Sequence, residues 1–112
     1  MEHVGINLVQ FTGFVGKRII TFENREGVPG IRFYIWVGAK KPFGFYQMIA
    51  VYGSRAVELS KELEPGDLVF VSGKKMIMNF SGNKGYSQNI DTVSTILCYV
   101  IRKSTLDKEI EK

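Results

Sequence analysis

Hydrophobic and polar residues alternate with a period of two along most of this chain. In Arg32-Phe33-Tyr34-Ile35-Trp36-Val37 the alternation sends Phe33, Ile35 and Val37 to one face and Arg32, Tyr34 and Trp36 to the other. The first set reads as core. The second is a flat, cationic, aromatic surface that is costly to leave in water unless something stacks on it. Upstream, Asn7 to Val15 puts Val9, Phe11 and Val15 on one face, Gly13 marks a bend or bulge, and Lys17 to Phe22 continues extended. A turn cluster from Asn24 to Gly30 separates this run from the strand Ile31 to Val37. Beyond the loop Gly38 to Gly44, the strand Phe45 to Tyr52 sets Met48, Ala50 and Tyr52 opposite Gln47, Ile49 and Val51.

The period changes once. Ser54 to Leu63 has helical spacing: Ser54 is placed to cap the first turn, Ala56, Leu59, Ser60 and Leu63 share a face, and Pro65-Gly66 stops it. Leu68 to Gly73 reads as a buried strand. Lys74 to Phe80 and Tyr86 to Thr92 read as the arms of a hairpin around residues 81–85, and Val93 to Ile101 as the last strand. Three strands, a short helix and two further strands joined by a long hairpin predict an all-β fold. That order is the five-stranded Greek-key barrel called the OB-fold, with its helix between strands 3 and 4 and the hairpin between strands 4 and 5. Residues 1–103 would form this domain and 104–112 a short charged tail, frayed or partly helical.

A chain of 112 residues with 45% hydrophobic and 23% charged content is one soluble globular domain, not a disordered segment. The formal net charge is +4, but it is unevenly spread. Glu58, Glu62, Glu64 and Asp67 gather around the predicted helix. With that stretch and the tail set aside, 11 bases face 4 acids. One side of the molecule is then positive and suited to a polyanion. Cys98, the single cysteine, has apolar neighbours and reads as a small core residue in a reducing, cytoplasmic setting. No apolar run approaches the roughly 20 residues of a membrane span, and the first residues lack the pattern of a secretory signal.

Catalysis is hard to build from this sequence, and the chain is read as a non-enzyme without metal or cofactor. His3 is the sole histidine, so histidine-based acid–base or metal chemistry has no second member. Asp67 and Asp91 stand alone, and no glycine-rich phosphate loop or nucleophile elbow occurs. Aromatic faces with interleaved cations are instead what a single-stranded nucleic acid needs, because bases stack on rings and phosphates pair with cations. The candidates are Arg32, Tyr34, Trp36, Tyr46, Tyr52 and Phe80, with Lys40 and Lys41 in a loop and Lys74, Lys75 and Lys84 on the hairpin. Lys17, Arg18 and Arg25 could extend the track or simply solubilise an edge. Met76 and Met78, alternating with Ile77, mark an apolar side of the hairpin that could pack between subunits.

Three stretches carry a family resemblance. Asn7-Leu8-Val9-Gln10-Phe11-Thr12-Gly13-Phe14-Val15-Gly16 resembles the opening strand of bacterial-type single-stranded DNA-binding proteins. Ile49-Ala50-Val51-Tyr52-Gly53 followed by Ala56-Val57-Glu58 resembles their third strand entering the helix. Pro65-Gly66-Asp67-Leu68-Val69-Phe70-Val71-Ser72-Gly73 resembles the opening of their fourth. The resemblance spans residues 6–100 and implies base stacking at Tyr46, seven residues before Gly53, at Tyr52, and at Phe80, seven after Gly73. Trp36 lies near a further stacking position. The implied activity is single-strand binding with little sequence preference, in DNA replication, recombination or repair. A homotetramer is implied, assembled through the first strand, with a homodimer as the alternative, in the cytoplasm with the nucleoid.

The chain departs from that family at its end, which carries neither a long linker nor an acidic tip. Primosomal N-type relatives share this shortness, and they define a second reading: an OB-fold adaptor whose aromatic face binds replication proteins. Stacking residues alone leave RNA open beside DNA, and Tyr34 and Trp36 could equally serve a subunit interface.

Overall fold

In the computed structural model, which describes residues 7–40, 42–81 and 87–104, five strands and one helix follow one another. They are β1 (Val9–Glu23), β2 (Pro29–Gly38), β3 (Gly44–Tyr52), α1 (Ser54–Glu62), β4 (Leu68–Ser81) and β5 (Ser87–Arg102). The strands close into a barrel in the order β1-β2-β3-β5-β4, with β3 and β5 parallel and the other pairs antiparallel. This is the OB-fold arrangement expected, helix included.

One long strand closes the barrel. β1 pairs with β4 through Val9–Phe14 and with β2 through Phe14–Glu23, and its register shifts between Val15 and Ile19. The bend therefore falls after Gly13, which serves close packing instead. A Cβ on Gly13 would lie 2.7 Å from the Trp36 carbonyl oxygen. Phe33, Ile35, Ile49, Val69, Val71, Val93 and Cys98 fill the interior, and Ala56, Leu59 and Leu63 pack into the same core. Side chains of this size contribute about 1.5–3 kcal/mol each when fully buried. Cys98 is a core residue as expected. Burial pushes its thiol from an ordinary 9.0 up to about 11, against the opposing pull of Arg55.

The helix begins differently from the expectation. Its N-cap is Gly53, not Ser54, and no side chain caps it. Gly53 turns the chain out of β3 with φ 82°, a conformation open to glycine, and its carbonyl accepts from the Ala56 and Val57 N–H groups. Ser60 does not share the buried face. It is exposed, and its hydroxyl donates to the Val57 carbonyl at 2.6 Å. The three positions Ala56, Leu59 and Leu63 make a stripe wide enough for the core.

The hairpin arms are not separate elements. Pairing runs from Leu68–Arg102 to Ser81–Ser87, so the arms are the outer parts of β4 and β5. Gly73 marks a register shift inside one strand rather than its end. The hairpin tip and the charged tail after Ser104 lie outside the described residues.

Asp67 is not an isolated carboxylate. Fully buried, it accepts hydrogen bonds from the Glu64 N–H at 2.9 Å, the Ser104 N–H at 2.7 Å and the Lys103 ammonium at 2.7 Å. Lys103 also pairs with Glu64 and donates to the Glu62 carbonyl. Desolvation pulls the Lys103 pKa down, but the hydrogen bonds it donates to Asp67 and Glu64 hold it above its ordinary value. The latch ties the end of β5 to the turn between α1 and β4.

Candidate nucleic-acid interface

The turn between β1 and β2 builds one end of the site. The Asn24 side-chain oxygen accepts from the Glu26 and Val28 N–H groups, both at 2.9 Å, which tightens the turn and sets Phe22 opposite Gly30. Gly30 has no Cβ for a reason: one would lie 2.6 Å from the Phe22 ring. Across β2, Gly30 pairs with Tyr52, so Phe22 and Tyr52 meet edge to face with centroids 5.6 Å apart. Phe80 joins from the hairpin, 6.0 Å from Phe22. The Arg32 guanidinium lies over the Phe80 ring, 4.3 Å from its centroid, a cation–π contact. The Tyr52 hydroxyl donates to the Met78 sulfur at 3.7 Å. Burial pushes the Tyr52 phenol up, with Arg32 pulling the other way. Phe22, Arg32, Tyr52 and Phe80, with Glu23, Asn24, Arg25 and Asn79, line a cavity of about 450 Å³.

A second aromatic cluster stands further along the same strands. Tyr34 and Tyr46 are 6.3 Å apart, and Trp36 and Tyr46 4.9 Å, each pair edge to face. Trp36 is half-buried and its indole N–H donates to the Ala39 carbonyl at 2.7 Å. Lys17 and Arg18 border the Tyr34–Tyr46 pair. Between the clusters, a third cavity is lined by Arg18, Ile20, Arg32, Tyr34, Met48, Gln88 and Ile90. Arg32 belongs to this cavity and to the first, while Arg18 and Tyr34 belong to it and to the last. The three form one track.

That track is a groove, not the flat surface expected from the alternation. Met48 and Ala50, on the same face as Tyr46 and Tyr52, are buried, and Gln88 and Ile90 of the hairpin line the cavity that Met48 lines. The hairpin thus walls the track.

The structure brings Arg32, Tyr34, Trp36, Tyr46, Tyr52 and Phe80 together along this track. Lys40 is exposed in the turn between β2 and β3, while Lys41 and Lys84 lie outside the described residues. Lys74 and Lys75 do not line the groove. Across the sheet, Arg32 pairs with Ala50, Ala50 with Ser94 and Ser94 with Lys74, which places Lys74 three strands along from Arg32 by that path. Lys75 instead pairs with Asp91 at 3.0 Å. Tyr52 faces Phe22 and Met78 rather than packing under the helix.

Sequence reasoning missed Phe22, Met48, Gln88 and Ile90. For Phe22 a signal existed: an aromatic and a glycine placed symmetrically about a tight turn. The acids of α1 are engaged elsewhere, Glu58 and Glu62 with Arg55, and line none of the groove's cavities. Among the described residues, no cluster of three or more His, Cys, Asp or Glu could hold a metal ion, and no helix is long and apolar enough to cross a membrane.

No protein-family profile matches this sequence, and no relative is found among curated proteins. Among solved structures, the fold is similar to that of a small single-stranded DNA-binding protein from Streptomyces coelicolor, with a TM-score of 0.67 at 18% sequence identity. The match covers 83% of this chain and 90% of that one. Nearly the whole of both molecules therefore shares a single architecture, the closed OB-fold barrel with its helix between the third and fourth strands.

Proposed function

We propose that this protein binds single-stranded DNA in the groove between the hairpin and strands β1–β3. The observation that carries the reading is the continuity of the track. Two aromatic clusters are joined through Arg32, Arg18 and Tyr34, with cations beside the rings at each end. Bases stack on Tyr34, Tyr46, Tyr52, Phe80 and Phe22, each stack being worth about 1–3 kcal/mol. Lys17, Arg18, Arg25 and Lys40 neutralise phosphates along the rim. The shared fold of the Streptomyces protein, whose name states single-strand binding, supports the same reading.

The proposed role is protection of single strands during replication, recombination or repair. Assembly uses β1: residues 9–12 pair with β4 on one edge and with no described strand on the other, so a second copy can add there. A homotetramer is the proposed state and a homodimer the alternative.

The test is the intrinsic fluorescence of Trp36 during titration with dT oligomers at low and high salt. Trp36 touches Tyr46, which lines the track, so salt-sensitive quenching is the expected result. No spectral change together with flat anisotropy of labelled dT at low salt would remove the reading. Equal or tighter binding of the matching RNA oligomer would redirect it to RNA.

A further inference from the structure

Arg32 has an unusual position for a phosphate-binding cation. It is half-buried between Ile20 on β1 and Ala50 on β3, and none of the ion pairs among the described residues involves it. Its guanidinium carbon lies 4.3 Å from the centroid of Phe80. Its Nε is buried with no hydrogen-bond partner among the described residues. A buried N–H without an acceptor costs free energy that a bound acceptor can return. Asn24 accepts from two backbone N–H groups, Asn89 takes the hydrogen bond donated by Asn79, and Glu23, which lines the same cavity, forms no ion pair with Arg32.

The cavity that Arg32 lines thus offers aromatic rings and a guanidinium outside every described ion pair. A guanidinium has donors and no acceptor, so its partner must bring an oxygen or another lone pair. A DNA strand brings phosphate oxygens, base carbonyl oxygens and base ring nitrogens. A phosphate is strongly hydrated and is better served by the rim cations Lys17, Arg18 and Arg25. A base can stack its flat face on the rings that surround Arg32 and turn its edge to the guanidinium. We infer that Arg32 reads one base: it donates to an exocyclic carbonyl oxygen of a base stacked beside it in this cavity, against Phe22 or Tyr52. Thymine, guanine and cytosine carry such an oxygen, and adenine does not. The inference rests on the single-strand reading above and adds to it a preference at one position, against adenine.

The experiment compares the affinities of dT and dA oligomers for the wild-type protein, Arg32→Lys and Arg32→Met, each across a range of salt. Oligo-dA stacks on itself, but that term is the same for every protein variant and cancels in the comparison of ratios. A good Arg–base contact is worth about 1–3 kcal/mol of discrimination, or roughly 5- to 150-fold in affinity. The dT:dA ratio should fall by about that factor in Arg32→Met and by most of it in Arg32→Lys, which keeps the charge but not the planar fork. A ratio unchanged in both variants overturns the inference. If the ratio is unchanged while Arg32→Met alone flattens the log–log salt slope by about 0.7, Arg32 binds a phosphate. Failure of the wild type to bind either oligomer overturns the single-strand reading as well.

Discussion

Phe80 and Phe22 line the same cavity as Tyr52, yet their backgrounds differ. Phe22 covers Gly30 at the barrel mouth, while Phe80 reaches the track from the hairpin and carries Arg32 on its face. Phe80→Ala should therefore weaken dT binding by about 1–3 kcal/mol, roughly 5- to 150-fold, with little change in the thermal midpoint. Unchanged affinity in an anisotropy titration would exclude Phe80 from the interface. Cys98 supplies a prediction of a different kind. Its folded thiol titrates at about 11 against an ordinary 9.0, so the unfolded chain loses this proton first as pH rises. The contribution of the neutral thiol to stability is intact below about pH 9 and is lost as pH climbs towards 11. Urea midpoints of the wild type and Cys98→Ala should converge over that window, and a constant gap between them would contradict the assignment. The period-two pattern disclosed Tyr34, Trp36, Tyr46 and Tyr52 because each strand states its own alternation. Phe22 and Gln88 were hidden because their roles depend on which strand lies opposite, which alternation does not encode.

At the scale of elements, strand order and the single helix were legible from turn residues and from the change of period at Ser54. The helix cap was not, since the φ of 82° at Gly53 is set by how β3 hands the chain to α1. The hairpin was read as separate arms because Gly73 looks like a terminator, whereas in the barrel it is a register shift within β4. That continuity has a consequence for the groove. A continuous two-stranded ribbon, anchored in the barrel by Val69, Val71, Val93 and Cys98, walls the track and buries Met48. The opposite end of the same ribbon is held by Asp67. Asp67→Ala would leave the Glu64 and Ser104 N–H groups without their acceptor and should lower stability by about 1–3 kcal/mol. Urea denaturation would read the loss. An unchanged midpoint would mean that the latch contributes nothing, and since Asp67 lines no part of the groove, dT affinity of the folded variant should stay near that of the wild type.

The whole molecule separates its charges. Most acids of the helical side gather on α1 and the turn after it, paired with Arg55 and Lys103, while Lys17, Arg18, Arg25 and Arg32 line the groove against one acid, Glu23. Composition made this asymmetry visible as a count. It could not show that Lys74 and Lys75 fall outside the track, because that depends on how four strands lie side by side. A molecule organised this way should steer a single strand to one face and hold it by stacking and charge together. The most direct test is the affinity for a labelled dT oligomer, followed by anisotropy as salt is raised. Four phosphates neutralised by Lys17, Arg18, Arg25 and Lys40 predict a log–log slope of about −3, at about 0.7 for each phosphate. A slope of that size or steeper, with tight binding at low salt, is the predicted result. Affinity indifferent to salt, or no binding at low salt, would contradict it.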